Sequence, residues 1–148
     1  LLCHGQLRTD AASVRTAIPE ADAALPEQLE RLVFEAGGTA EVERYLEVCR
    51  RGGTYTPADA LLADMSRAFR VSVVSRTRIG QTISSVYRTH NYVLSPAAAL
   101  AYAGLMDARA KPGLGKNALL LAEKSPALDA AFTAAALRIS ESELKDLL

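Results

Sequence analysis

The starts of helices are the most clearly marked feature of this sequence. Ser95 and Ser125 are each followed by a proline, which combines an N-cap hydroxyl with the residue best suited to the first helical position. Ser140 begins a Ser-x-x-Glu capping box, and Ser75 precedes a segment whose apolar residues recur at helical spacing. These signals predict a helix-dominated second half in which each helix begins at a defined residue.

Glycine pairs divide the first half of the chain. The spacing of apolar residues from Leu25 to Val33 predicts a helix that stops at the glycine pair 37–38, and a second helix ends at the pair 52–53. Thr56 and Pro57 predict the start of a third helix, with Thr56 as its N-cap. Residues 1–25 show no clear period and are predicted to form an irregular N-terminal segment, followed by a helix-rich region over residues 26–148.

Strand signals are few. Ala118–Ala122 is an unbroken apolar run between a Gly/Pro loop and a Ser-Pro cap, which is typical of a buried parallel strand. Val71–Val74 is rich in β-branched residues and fits either a strand or an extended link. Because the backbone groups of a strand need partners, we expect neighbouring strands either in residues 1–25 and Val71–Val74 or in a segment outside this chain.

Composition excludes several function classes. The 148 residues carry 17 basic and 17 acidic side chains, and this balance argues against nucleic acid as a partner. The sequence has no apolar run of about 18 residues, so no membrane span is expected. Cys3 and Cys49 lie far apart, outside any metal-ligand pattern, which favours reduced thiols in a cytoplasmic protein and leaves a disulfide between them open.

Four segments in order resemble the C-terminal part of threonine synthases. Pro26–Phe34 reads PEQLERLVF, which is similar to the family's PSNFERLLF, and residues 53–56 stand where the family has a Gly-x-Phe turn. His90–Ala99 resembles the family's GYxxDPHTA segment. Leu119–Leu128 resembles the strand-to-helix segment that the family reads as LATAHPAK.

The resemblance implies an α/β, helix-rich fold, the C-terminal lobe of a fold type II pyridoxal-phosphate lyase. Intact members convert O-phosphohomoserine and water into threonine and phosphate, and a lysine in the N-terminal half carries the cofactor. That lysine segment has no counterpart here, and the four lysines of this chain are expected to be solvated. The chain is therefore expected to contain no catalytic residue and to be inactive alone, with pyridoxal phosphate implied only for the intact family.

Two residues are implied as cofactor-binding positions. Glu123 stands where the family has a threonine that bonds the pyridine nitrogen, and Ser125 stands at a family histidine. A carboxylate at Glu123 would favour the protonated pyridinium. Alternatively, Glu123 is a solvated acid at the start of a helix, where it suits the helix dipole.

Three functional hypotheses remain open from the sequence. The chain is a fragment of a pyridoxal-phosphate enzyme, a pseudoenzyme or protein-interaction module built on the same scaffold, or a stand-alone helical domain with no relation to the family. A fragment would leave apolar surface uncovered, so the expected partners are a missing N-terminal lobe or a second copy in a symmetric dimer. No nucleic-acid or membrane partner is expected.

Overall fold

The computed structural model describes residues 6–9, 28–69, 71–110, 117–122 and 124–148. The chain divides into two compact units, Leu1–Val71 and Ser72–Leu148. The first unit contains β1 (Leu7–Arg8), α1 (Leu29–Arg51), β2 (Thr54–Tyr55) and α2 (Asp59–Ala68). The second contains α3 (Arg76–His90), α4 (Pro96–Arg109), a 3₁₀ helix (Pro126–Asp129), α5 (Ala130–Leu137) and α6 (Glu141–Leu147).

The long helix of the first unit, α1, is broken at Gly38. This glycine has φ 71° and ψ −169°, a conformation that only glycine adopts readily, and helical geometry resumes after it. The predicted break at the first glycine pair is therefore confirmed, although the two segments follow each other without a loop. Gly52, with φ 75°, ends the second segment as predicted.

A short antiparallel ladder joins β1 to β2, with Leu7 opposite Tyr55. Tyr55 is fully buried, and its ring meets that of Tyr45 edge-to-face at a centroid distance of 5.1 Å. The core of this unit consists of α1, β2 and α2 side chains, namely Leu29, Val33, Tyr45, Tyr55, Leu61 and Met65. The sequence signal at residues 53–56 predicted only a turn before a helix, and strand β2 was not anticipated.

Helix α2 begins later than the sequence predicted. Its first residue is Asp59, its N-cap is Ala58 without a side-chain hydrogen bond, and Pro57 is buried ahead of the helix. The prediction of Thr56 as N-cap is wrong because the chain leaves the ladder at Tyr55 and stays extended. The Thr56 carbonyl accepts a hydrogen bond from Arg44 Nη2 at 2.9 Å, which holds that residue outside the helix.

The capping predictions for the second unit are confirmed. Ser75 Oγ accepts from the Arg78 amide at 3.3 Å, and Ser95 Oγ accepts from the Ala98 amide at 3.2 Å. Ser140 forms the complete capping box, because its amide donates to the Glu143 carboxylate while its hydroxyl accepts from the Glu143 amide. These hydroxyls satisfy amides that have no partner within their own helices.

The core of the second unit forms where α3 packs against α4 and α5. Ile79 and Ile83 of α3 are 1% and 0% exposed, and α4 buries the small residues Ala98, Ala99 and Ala103. Val93, Ala134 and Leu144 bring α5 and α6 into contact with the connector after α3. Among the residues described, no helix is long and apolar enough to cross a lipid bilayer.

The predicted buried strand at Ala118–Ala122 is wrong. These residues have no regular secondary structure, and Leu119 and Leu121 are 88% and 71% exposed. A strand exists only where a neighbour pairs its backbone groups, and the ladder seen among the described residues joins β1 to β2. Residues 71–75 likewise form a link without regular structure, which is one of the two readings that the sequence left open.

Candidate functional site

Of the two predicted cofactor-binding positions, Ser125 lies within the described residues, directly before the 3₁₀ helix of the second unit. Glu123 falls outside the described residues, so its role stays a prediction. Ser125 is exposed, and its hydroxyl accepts a hydrogen bond from the Ala127 amide at 3.2 Å. The Ser125 hydroxyl therefore already serves as the N-cap of the 3₁₀ helix, and a role toward a cofactor stays a prediction as well.

Two of the four lysines lie within the described residues. Lys145 is exposed on α6 and Lys124 is half-buried, whereas Lys111 and Lys116 lie outside the described residues. A lysine that forms a Schiff base needs a desolvated pocket or a neighbouring cation that lowers its pKa. Neither described lysine lines a described cavity.

A tyrosine–glutamate–arginine network is the densest polar cluster of the first unit. Tyr55 Oη donates to Glu41 Oε1 at 2.5 Å, and Arg44 Nε donates to Glu41 Oε2 at 3.2 Å. The Arg44 guanidinium also lies 5.0 Å from the centroid of the Tyr55 ring, within cation–π range. The network ties α1 to β2, because Glu41 and Arg44 belong to the helix and Tyr55 to the strand.

The titration behaviour of this cluster marks it as structural. Hydrogen bonding from Arg44 holds the pKa of the Glu41 carboxyl below its ordinary value, against the opposing effect of burial, and the bond from Tyr55 lowers it further. Burial raises the pKa of Tyr55, and its bond to Glu41 raises it further. Both shifts lead away from neutrality, whereas general acid–base catalysis needs a pKa near the working pH.

The second unit carries an open groove between α3 and α5. It has a volume of about 520 Å³, and its lining residues include Arg88 and Arg138 together with Gln81 and Ser84. The absence of any acidic residue from α3 and α5 is the sequence signal that could have identified the groove.

The chemistry of pyridoxal phosphate sets what a site for it must contain. The cofactor requires a lysine amine for its aldehyde and donors for its phosphate, converging in one pocket. Lys145 is exposed and the Ser125 hydroxyl is engaged in capping. Within the described ranges, no group of three or more His, Cys, Asp or Glu side chains could hold a metal ion.

Comparison with known proteins identifies the fold. The structure matches that of pyridoxal-phosphate-bound threonine synthase from Brucella melitensis with a TM-score of 0.77 and 26% identity, over 99% of this chain and 32% of that one. It matches yeast threonine synthase with a TM-score of 0.72 and 21% identity, over 99% of this chain and 34% of that one. No family model and no curated protein sequence matches the chain.

These matches confirm the resemblance and the fold class that the sequence predicted. The chain has the fold of part of a threonine synthase, helix-rich and with few strands, and it spans about a third of the length of the enzymes that it matches. The match over 99% of the chain argues against the hypothesis of an unrelated stand-alone helical domain.

Proposed function

We propose that this chain is the C-terminal part of a threonine synthase-like protein and does not catalyse by itself. One observation carries the proposal: 99% of the chain matches a third of a pyridoxal-phosphate-bound threonine synthase. A protein with the sites of that enzyme would convert O-phosphohomoserine into threonine and phosphate. The other two thirds would have to supply the lysine that binds the cofactor.

The lack of catalysis rests on what the described side chains already do. Glu41 and Tyr55 titrate away from neutrality, and Ser125 caps a helix. Lys145 is exposed and lines no described cavity. Lys124 is half-buried and likewise lines neither described cavity, and these observations support a chain that does not hold the cofactor as an internal aldimine.

Trapping with borohydride tests the proposal. The purified chain and the Brucella melitensis enzyme would be incubated with equal pyridoxal phosphate, reduced, and mapped by peptide mass spectrometry. We expect one stoichiometrically labelled lysine in the control enzyme and only slow labelling, shared among several lysines, in this chain. Stoichiometric labelling of a single lysine would overturn the proposal, and the Lys124→Arg and Lys145→Arg variants would show which amine is responsible.

Exposed apolar side chains favour a second candidate function, a protein-interaction module without catalysis. Leu119, Leu121 and Leu128 are 88%, 71% and 65% exposed. Exposed apolar side chains and unpaired extended segments recruit other chains, and a second copy in a symmetric dimer is the simplest partner. The missing lobe of a longer protein is the other partner that would cover them.

Light scattering across a concentration series tests this candidate. The unaltered chain should dimerise, and the double variant Leu119→Lys, Leu121→Lys should remain monomeric. Val73→Lys is the matched control, because Val73 is also 88% exposed and lies elsewhere in the second unit. A monomer at all concentrations would contradict self-association, and dimerisation of the double variant would place the interface elsewhere.

A further inference from the structure

The groove between α3 and α5 has the size and lining of a ligand site. Its volume of about 520 Å³ lies within the range usual for small-molecule pockets. Gly80 and Ala136 are small lining residues that leave the groove open. Gln81, Ser84 and Arg88 line its α3 side. The groove thus presents apolar surface together with several hydrogen-bond donors.

The charge of the groove is positive. Neither α3 nor α5 contains an acidic residue, and no carboxylate within the described residues pairs with Arg88 or Arg138. The acids that follow Arg138 are Glu141, which is exposed, and Glu143, whose carboxylate accepts hydrogen bonds from Ser140; Asp107, the next acid after Arg88, pairs with Arg78. Residues 72–148 also carry nine Lys and Arg against six Asp and Glu, so the surrounding unit favours approach by an anion.

Arg138 occupies a backbone position that ordinarily belongs to glycine. It follows α5 with φ 62°, its amide bonds to the Ala135 carbonyl, and the Ile139 amide bonds to the Ala134 carbonyl. This pattern is a Schellman motif, in which glycine is preferred because other residues are strained at positive φ. Backbone geometry therefore favours glycine at this position, and the residue found there is an arginine that lines the groove.

We propose that this groove binds a small organic anion, a phosphomonoester or a carboxylate, through the guanidinium groups of Arg88 and Arg138. Guanidinium forks match the oxygen pairs of both anion types and bind them by charge-assisted hydrogen bonds. Gln81 and Ser84 supply neutral donors, and the carbon skeleton of the ligand lies against Ala136 and Leu137.

Interaction with helix dipoles is the competing role for the two arginines. Both lie near the carboxyl ends of their helices, where a cation is favoured. Each helix end is equivalent to about half a negative charge, so two full positive charges leave the groove positive. The dipole role alone predicts no saturable anion binding, and this difference makes the two roles separable.

Titration with two probes tests the proposal. Inorganic phosphate or phenyl phosphate would be added in place of chloride, so that the ionic strength stays constant. Binding would be followed by the NMR shifts of backbone amides. We expect saturable shifts at Gln81, Ser84 and Ile139, with tighter binding of phenyl phosphate because its ring contacts the apolar lining. Shifts that grow without saturation, or that centre on other residues, would overturn the proposal.

Variants separate binding from folding. Arg88→Gln and Arg138→Gly should each weaken phenyl phosphate binding about tenfold, the loss of one charge-assisted bond at an exposed site. Arg138→Gly should at the same time leave thermal stability unchanged or raised, because glycine relieves the positive φ. Lys145→Gln, which removes one exposed charge from α6, should leave binding within twofold of the unaltered chain. If all three substitutions weakened phenyl phosphate binding equally, binding would depend on overall charge alone, and the proposed site would be refuted.

Discussion

Replacing Tyr55 by phenylalanine removes one oxygen from a fully buried side chain. The ring, its edge-to-face contact with Tyr45 and the fit of the core are preserved. What disappears is the 2.5 Å hydrogen bond to Glu41 Oε1, one of the contacts that tie β2 to α1. The substitution therefore measures the bond to the carboxylate with little contribution from packing.

The expected loss of stability depends on the hydrogen-bond partners that Glu41 keeps. A hydrogen bond to a charged group contributes roughly 1.5–3 kcal/mol. Glu41 keeps its bonds from Arg44, and its side chain is 18% exposed, so water can replace part of the lost donor. We therefore expect a loss near the lower limit, about 1.5 kcal/mol in the free energy of unfolding at pH 7.

The same substitution should alter the acid dependence of stability. The folded-state pKa of Glu41 lies below its ordinary value of 4.5. The ionised Glu41 carboxylate therefore contributes to folding stability at pH values above 4.5, and this contribution is lost as the pH falls through the lowered pKa. Without the hydrogen bond from Tyr55, the pKa of Glu41 is lowered less. The variant should therefore lose less stability on acidification than the unaltered protein.

Urea unfolding measured by circular dichroism from pH 7 to pH 3 tests both expectations. Tyr92→Phe is the matched control, because Tyr92 is 55% exposed and its change should cost under about 0.5 kcal/mol. A Tyr55→Phe cost as small as that of the control, or an acid dependence identical to that of the unaltered chain, would refute the role assigned to the bond.

Three further substitutions test core packing, the break in α1 and the cap of α6 by urea unfolding. Ile83→Ala opens a cavity at a fully buried position of α3 and should cost about 2–5 kcal/mol, whereas Val73→Ala at an 88% exposed position should stay within about 0.5 kcal/mol. Gly38→Ala places a side chain at φ 71° and should cost about 1–3 kcal/mol although the space around it is open; no measurable loss would argue against the break in α1. Ser140→Ala removes the capping box and should cost about 1 kcal/mol, and an unchanged unfolding midpoint would contradict that role.

Local signals explain which parts of the fold were predictable from sequence. The serine caps and the glycine break depend on a few adjacent residues, and the structure places them as predicted at Ser75, Ser95, Ser140 and Gly38. The start of α2 was predicted wrongly because Arg44, twelve residues away, fixes the Thr56 carbonyl. Likewise β2 depends on pairing with Leu7, 48 residues from Tyr55, which no local pattern reveals.

The strand prediction failed, and the groove between α3 and α5 was not predicted, for a related physical reason. The apolar run at residues 118–122 has the composition of a buried strand, but composition does not supply the neighbour that a strand requires. The groove residues Arg88 and Arg138 lie 50 positions apart, and only the packing of α3 against α5 brings them to one surface. Residue type was therefore informative about each helix and uninformative about contacts between helices.

Two residues that differ from the threonine synthase motifs have helix-capping roles in the structure. Ser95 stands where the family has aspartate, yet its buried hydroxyl caps α4, a role that serine and aspartate perform about equally well. Ser125 stands at a family histidine and caps the 3₁₀ helix. Helix capping by itself accounts for a serine at both positions, and a cofactor role of Ser125 stays a prediction. Arg138 is the opposite case, since backbone geometry there favours glycine, and the proposed anion groove gives the arginine side chain a role.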